Sequence, residues 1–202
     1  MEIILIRHGE SEANRINYPE YKMFTGQWEC HVTSEGLKKA EVLKSLDELK
    51  DVEICFASDL IRTKETAQAI FPSKIIQLDK RLRERSLGVF EGCGVDDIRG
   101  CIQYKKYFEN HEYMNFRHDF IQKAPGGESY TDVCNRVNKF LSELLAMNYK
   151  KVAIVSHMCT IRCILKILKS LTEEETLALK INQCEPIVVY RMFNGIGNIM
   201  VQ

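Results

Sequence analysis

The chain carries no net charge: 28 Lys and Arg balance 28 Asp and Glu over 202 residues. A basic face for nucleic acid would have to be local, so no nucleic-acid partner is expected. Long apolar runs are missing too. None approaches the ~20 residues of a membrane span, so no membrane partner is expected. The N-terminal run stops after residues 3–6 and is followed by charge, unlike a signal peptide. Eight cysteines (Cys30, Cys55, Cys93, Cys101, Cys134, Cys159, Cys163 and Cys184) include no C-x-x-C pair. That argues against a zinc site, and neither a metal nor a cofactor is expected. Scattered thiols, several in apolar patterns, read as small hydrophobes kept reduced in a cytoplasmic protein. There is no internal repeat, low-complexity segment or linker, so residues 1–202 read as one domain.

What the chain does have is two apolar runs that each end in a histidine. Ile3-Ile4-Leu5-Ile6 leads into Arg7-His8-Gly9-Glu10, and Val152-Ala153-Ile154-Val155 leads into Ser156-His157. Short, β-branched and apolar, both runs predict strands buried on two faces. In parallel α/β sheets, ligands bind beyond the carboxyl ends of strands. His8 and His157 are therefore expected to face one crevice.

Between them, residues 10–23 read as a polar loop over the strand end, and Phe24-Thr25-Gly26 as a turn beside the site. Thr33 is expected to cap a helix whose buried stripe is Leu37, Ala40, Leu43, Leu46 and Leu49. A strand at 53–57 passes through Ser58-Asp59 into a helix carrying Arg62 and Thr66, and a helix N-terminus there favours anions. A short strand at 74–78 follows, then the charged run 80–85. Residues 96–108 predict one helix with Ile98, Ile102 and Phe108 inward. Residues 109–123, rich in aromatics and charge, are expected to lie beside the crevice, so that a helical cap spans about 94–124. His31, His111 and His118 read as surface or cap residues. Pro125-Gly126-Gly127-Glu128-Ser129 starts a long helix with Tyr130, Val133, Val137, Phe140, Leu141 and Leu144 on its core face. Helices from Thr160 and near Thr172 follow, then strands at 186–193 and 198–201 around an Asn194-Gly195 hairpin turn. The alternation argues for α/β architecture, a three-layer α/β/α sandwich with a mostly parallel central sheet.

If the strand ends converge, Arg7 and Arg62 supply forked donors that match phosphate oxygens and stay charged at any working pH. A histidine with one ring nitrogen free of its proton can attack phosphorus, provided its other N–H is held elsewhere. Glu84 is the natural proton donor to a leaving oxygen. Gly9, lacking a side chain, would let the backbone approach a ligand closely.

Six blocks in order carry a resemblance. They are Arg7-His8-Gly9-Glu10; Phe24-Thr25-Gly26 with Trp28-Glu29 and Thr33-x-x-Gly36; Ser58-Asp59-Leu60-x-Arg62-Thr63-x-x-Thr66-Ala67; Leu82-Arg83-Glu84 with Gly88-x-x-Glu91-Gly92; Pro125-Gly126-Gly127-Glu128-Ser129; and Val155-Ser156-His157 with Ile161-Arg162. Together they resemble the histidine phosphatase superfamily, its phosphoglycerate mutase-like branch, along nearly the whole chain. The resemblance implies His8 as nucleophile, Arg7, Arg62 and His157 as phosphate pocket, and Glu84 as proton donor and then base. It places Asn14, Thr25 and Gly26 on the substrate side. It departs at Met158, where the family has glycine, and at Glu29, where it has aspartate, a change expected to be structural. The implied activity is metal-independent hydrolysis of a small phosphorylated metabolite through phosphohistidine, by an acid-type phosphatase for which a homodimer is an allowed state. The alternatives are a phosphoglycerate mutase, for which the region between Glu84 and the Pro-Gly-Gly turn is short, or a catalytically inactive phosphate-binding module.

Overall fold

In the computed structural model, which describes residues 1–190, the chain runs β1 (Glu2–Arg7), α1 (Glu12–Ile16), α2 (Ser34–Val42), β2 (Ile54–Ala57), α3 (Ile61–Ile70) and β3 (Ile76–Leu78). It continues through α4 (Val95–Gly100), α5 (Lys106–Glu109), α6 (Tyr130–Ala146), β4 (Lys151–Ser156), α7 (Met158–Lys169), α8 (Glu173–Ala178) and β5 (Pro186–Tyr190). The five strands form one sheet in the order β3-β2-β4-β1-β5. All neighbours are parallel except β5, which runs antiparallel beside β1.

Side chains alternate across a strand, so β1 serves two cores at once. Ile3 and Leu5 pack with Val152, Ile154 and Phe56 against α6 and α7. Ile4 and Ile6 pack with Ala153, Val155 and Cys55 against α2 and α3. Each fully buried Ile or Leu contributes about 1.5–3 kcal/mol of transfer free energy. This is the expected three-layer sandwich, and it explains why both histidine-bearing strands read as unbroken apolar runs. A third cluster is largely aromatic: Phe24, Phe90, Tyr107 and Phe116 pack with Leu87, Val95 and Ile98. It ties the segment around 94–124 to the turn at Phe24. No helix among the described residues is long and apolar enough to cross a membrane.

Several expected elements differ. The helix from Thr33 stops at Val42 and continues as two 3₁₀ turns, Leu43–Ser45 and Asp47–Leu49, with Leu46 extended between them. A spacing of three residues suits a 3₁₀ turn as well as an α-helix, and the Ser45 hydroxyl donates to the Val42 carbonyl at 2.9 Å, closing the end. Residues 96–108 are not one helix. α4 ends at Gly100, Cys101 is extended, and Ile102 stands 90% exposed while Tyr107 is buried in its place. The loop at 10–23 contains α1, closed by a capping box between Ser11 and Asn14. The expected strand at 74–78 is shorter, Ile76–Leu78. The distal part of the 186–193 strand, the Asn194-Gly195 turn and the 198–201 strand lie outside the described residues.

Candidate active site

Register brings the histidines together. Arg7 on β1 pairs with Ser156 on β4, and the His8 N–H donates to the Ser156 carbonyl at 3.0 Å. The next residue of each strand is a histidine. Their ring centroids lie 5.1 Å apart at an interplanar angle of 60°. Both are buried, His8 at 4% exposure and His157 at 0%.

The His8 Nδ1 lies 2.7 Å from the Gly9 carbonyl. A carbonyl can only accept, so Nδ1 carries the proton and, in the neutral ring, Nε2 keeps its lone pair. Burial, and then the Arg62 and Arg7 charges, hold His8 well below the ordinary histidine pKa. His8 is therefore neutral at pH 7, with a nucleophilic nitrogen exposed to the cleft it lines. His157 is also held well below its ordinary value, by burial first and then by Arg62 and His8. Its Nε2 is 3.0 Å from the Ser58 hydroxyl, which itself accepts from the Leu60 N–H at 3.3 Å. Either group can carry the proton of that bond, because a hydroxyl both donates and accepts. The other ring nitrogen, Nδ1, is buried without a partner.

Arg62 opens α3 and is 1% exposed. Its Nη1 donates to the Trp28 carbonyl and its Nη2 to the Gly26 carbonyl, both at 2.8 Å. Gly26 sits at φ +46°, a conformation that favours glycine and turns this carbonyl toward Arg62. Arg7 gives Nη1 to the Ile181 carbonyl at 2.8 Å, while its buried Nε has no partner. Among the described residues neither arginine is ion-paired to a carboxylate within 4.0 Å. Carbonyls orient these guanidiniums without neutralising them.

Glu84 is held from both sides. Its Oε1 accepts from the Arg85 N–H at 2.8 Å and its Oε2 from the Cys159 N–H at 3.4 Å, at the start of α7. Its carbonyl accepts from Gln27 and Arg136. The adjacent Arg83 is turned away into a forked pair with Asp59 at 2.6 and 2.7 Å.

A cleft of about 210 Å³ is lined by Arg7, His8, Asn14, Thr25, Gly26, Arg62, Glu84 and Met158, all expected at the site. His157 lies behind His8. Asn14 faces the cleft with its Oδ1 already engaged, accepting from the Ser11 N–H and from Gln183 Nε2. Glu29 accepts from the Ile61 N–H at 2.9 Å and so caps α3, the structural role expected of it. Gly9 is different from expectation. A Cβ there would lie 2.7 Å from the Gly36 carbonyl, so the missing side chain serves the packing of the β1 exit on α2.

Two further arginines line the cleft, Arg85 from the charged run 80–85 and Arg117 from the segment expected beside the crevice, neither of them among the expected site residues. Arg85 donates to the carbonyls of Phe116 and Arg117 at 3.0 and 2.8 Å, stitching the Glu84 loop to the 94–124 segment. Arg117 lies over the Tyr21 ring, 3.6 Å from its centroid. Adjacent to Glu84 in sequence, Arg85 was open to notice; Arg117 carried no spacing signal. His118, expected at the surface or cap, also reaches the cleft, and burial lowers its pKa. Among the described residues no group of three or more His, Cys, Asp or Glu is arranged to hold a metal ion.

Fold and site together define an α/β sandwich with a cationic cleft at the carboxyl ends of its parallel strands. Residues 3–195 match the Histidine phosphatase superfamily (branch 1), and the chain belongs to that superfamily. It is 30% identical over 196 residues to a 2,3-bisphosphoglycerate-dependent phosphoglycerate mutase of Rhizobium meliloti, spanning 92% of this chain and 88% of that protein. Among solved structures, the alpha-ribazole phosphatase of Shigella flexneri superposes with a TM-score of 0.81 at 22% identity, covering 100% of this chain and 95% of the other. A mycobacterial glucosyl-3-phosphoglycerate phosphatase superposes with a TM-score of 0.76 at 21% identity, covering 94% and 92%.

Proposed function

We propose that the chain is a metal-independent phosphomonoesterase, hydrolysing a small phosphorylated metabolite through a phosphohistidine on His8. The observation that carries this reading is the His8 tautomer: the Gly9 carbonyl holds the Nδ1 proton, so Nε2 is left as a nucleophile beside two un-neutralised guanidiniums. In the first step Nε2 attacks phosphorus in line, and the ester P–O bond breaks as Glu84 delivers a proton to the leaving oxygen. Arg7 and Arg62 hold the phosphoryl oxygens, supplying the charge that phosphoryl transfer requires, while the neutral His157 ring packs behind His8 rather than in the cleft where the phosphate pocket was expected to include it. In the second step Glu84 takes a proton from water as it attacks phosphorus, and Nε2 departs. The segment around 94–124 acts as the cap over this cleft, with Arg117 and His118 meeting the remainder of the substrate. The eight cysteines are all free, in keeping with a cytoplasmic setting.

Phosphoglycerate mutase is the second reading, favoured by relatives of that name at 30% identity. The test treats the protein with EDTA and measures p-nitrophenyl phosphate hydrolysis, then 3-phosphoglycerate turnover with and without 2,3-bisphosphoglycerate. Hydrolysis that survives EDTA without isomerisation is expected; isomerisation selects the mutase. His8→Ala is expected to lose about 10³-fold or more of turnover. Turnover within tenfold of wild type in that variant would overturn the mechanism.

A further inference from the structure

Glu84 sits on a segment, residues 83–87, that belongs to no helix or strand. Its backbone groups therefore need partners from elsewhere in the fold. The carbonyls of Arg81, Leu82, Arg83 and Glu84 each accept from a side chain of a neighbouring element. The Ser156 hydroxyl on β4 donates to that of Leu82 at 2.8 Å, and the Thr160 hydroxyl on α7 to that of Arg83 at 2.6 Å. The two outer carbonyls share one donor, Arg136 on α6. Its Nη1 donates to Arg81, and its Nη2 to Glu84 at 3.1 Å.

Arg136 is oriented in turn by Glu128, just before α6. Its Nε and Nη2 fork onto the two Glu128 carboxylate oxygens at 2.8 and 3.1 Å, a geometry that only a guanidinium offers. Glu128 Oε2 also accepts from the Ser86 N–H at 2.9 Å. One ion pair thus grips the segment on both sides of Glu84. Arg136 does not line the cleft, and all three of its nitrogens are spent on protein acceptors. Any influence it has on the reaction passes through another residue. The carboxylate of Glu84 is held by two amides. That of Arg85, at 2.8 Å, belongs to the next residue and moves with the segment. Only that of Cys159 ties it to a separate element, and at 3.4 Å it is the longer contact.

We propose that Arg136 is a positioning residue for proton delivery: its grip on the Arg81 and Glu84 carbonyls sets where the Glu84 carboxyl meets the leaving oxygen. The proposal rests on the reading of Glu84 as the proton donor. Gln27 donates to the same Glu84 carbonyl at 2.9 Å, so loss of Arg136 displaces the segment without freeing it.

The test uses kcat/KM, which reports the first P–O cleavage and leaves out the later activation of water. It is measured on β-glycerophosphate, whose alkoxide needs a proton to leave, and on p-nitrophenyl phosphate, whose phenolate does not. The proteins are wild type, Arg136→Gln, Glu84→Gln and the double variant, each at a temperature where it is folded. A misplacement of about 1 Å costs about 10²-fold, so Arg136→Gln should lose about that on β-glycerophosphate and at least about tenfold less on p-nitrophenyl phosphate. Added to Glu84→Gln, it should change β-glycerophosphate turnover by less than about threefold, because residues acting as one unit are not additive. Arg136→Lys keeps the charge beside Glu128 but cannot fork; it should show the same selectivity in weaker form, and stands in if Arg136→Gln does not fold. If Arg136→Gln loses both substrates equally while Glu84→Gln stays selective, the proposal falls and Glu84 remains the acid. If Glu84→Gln itself loses both equally, both readings fall. A full additional loss in the double variant would show that Arg136 acts by another route and would also overturn the proposal.

Discussion

Replacing Arg62 by lysine separates the charge of that side chain from its shape. The guanidinium is 1% exposed and spends one N–H on the Trp28 carbonyl and another on that of Gly26, both at 2.8 Å. A lysine keeps the charge but has one nitrogen at the end of a flexible stem, and cannot meet two carbonyls and a phosphate together. One buried carbonyl losing its partner costs about 1–3 kcal/mol. For a chain of this size each kcal/mol moves Tm by roughly 2–4 °C, so Arg62→Lys should melt about 5 °C lower. Losing one charge-assisted contact to a phosphoryl oxygen costs about 1.5–3 kcal/mol in the transition state, which is roughly 10- to 150-fold in kcat/KM. Arg62→Met, which discards the charge too, should fall at least tenfold further. The measurements are kcat/KM on p-nitrophenyl phosphate at a temperature where each variant is folded, and Tm by calorimetry. A lysine variant that melts lower but keeps kcat/KM within threefold would refute the phosphate role and leave Arg62 as scaffold.

Both site histidines are neutral in the fold below the pH at which free histidine charges. Between their lowered pKa values and about 6.5 the unfolded chain binds more protons, so stability rises with pH there. It should be complete above about 6.5, fall as pH drops from there toward the folded values, and level off below them; a Tm flat from pH 7 to 4.5 would contradict this. Glu84→Gln should slow an alkyl phosphate about 10²–10⁴-fold and p-nitrophenyl phosphate far less, because p-nitrophenolate leaves without a proton. Equal losses on the two substrates would remove Glu84 as acid. Gly88 sits at φ +55°, where a Cβ would run into the Pro125 carbonyl. Gly88→Ala should cost about 1–3 kcal/mol, read as a lower urea midpoint, and an unchanged midpoint would show that the approach of the two loops is looser than described.

The layers and the paired histidines were legible because burial on two faces leaves an unmistakable record. β1 and β4 read as apolar runs, and all six residues expected on the core face of α6 are buried. The expectations that failed share a cause. Ile102 continues a local spacing that tertiary packing does not honour, since the backbone turns extended at Cys101, whereas Leu46, though extended, still packs against the core beside α2 and α3. The roles of Gly9 and Arg117 depend on what lies opposite them, Gly36 for one and the Tyr21 ring for the other, across stretches with no fixed sequence distance.

The distance between the two imidazoles is dictated by the ladder joining β1 to β4, whose pairing at Arg7 and Ser156 is the last rung before both rings. Loops can lengthen, shorten or change composition without touching that rung. Under the proposed function, the place where substrate preference can change without touching that rung is residues 94–124, which contribute Arg117 and His118 to the cleft but no strand to the sheet. Swapping that segment between relatives should exchange preference while leaving the reacting pair undisturbed.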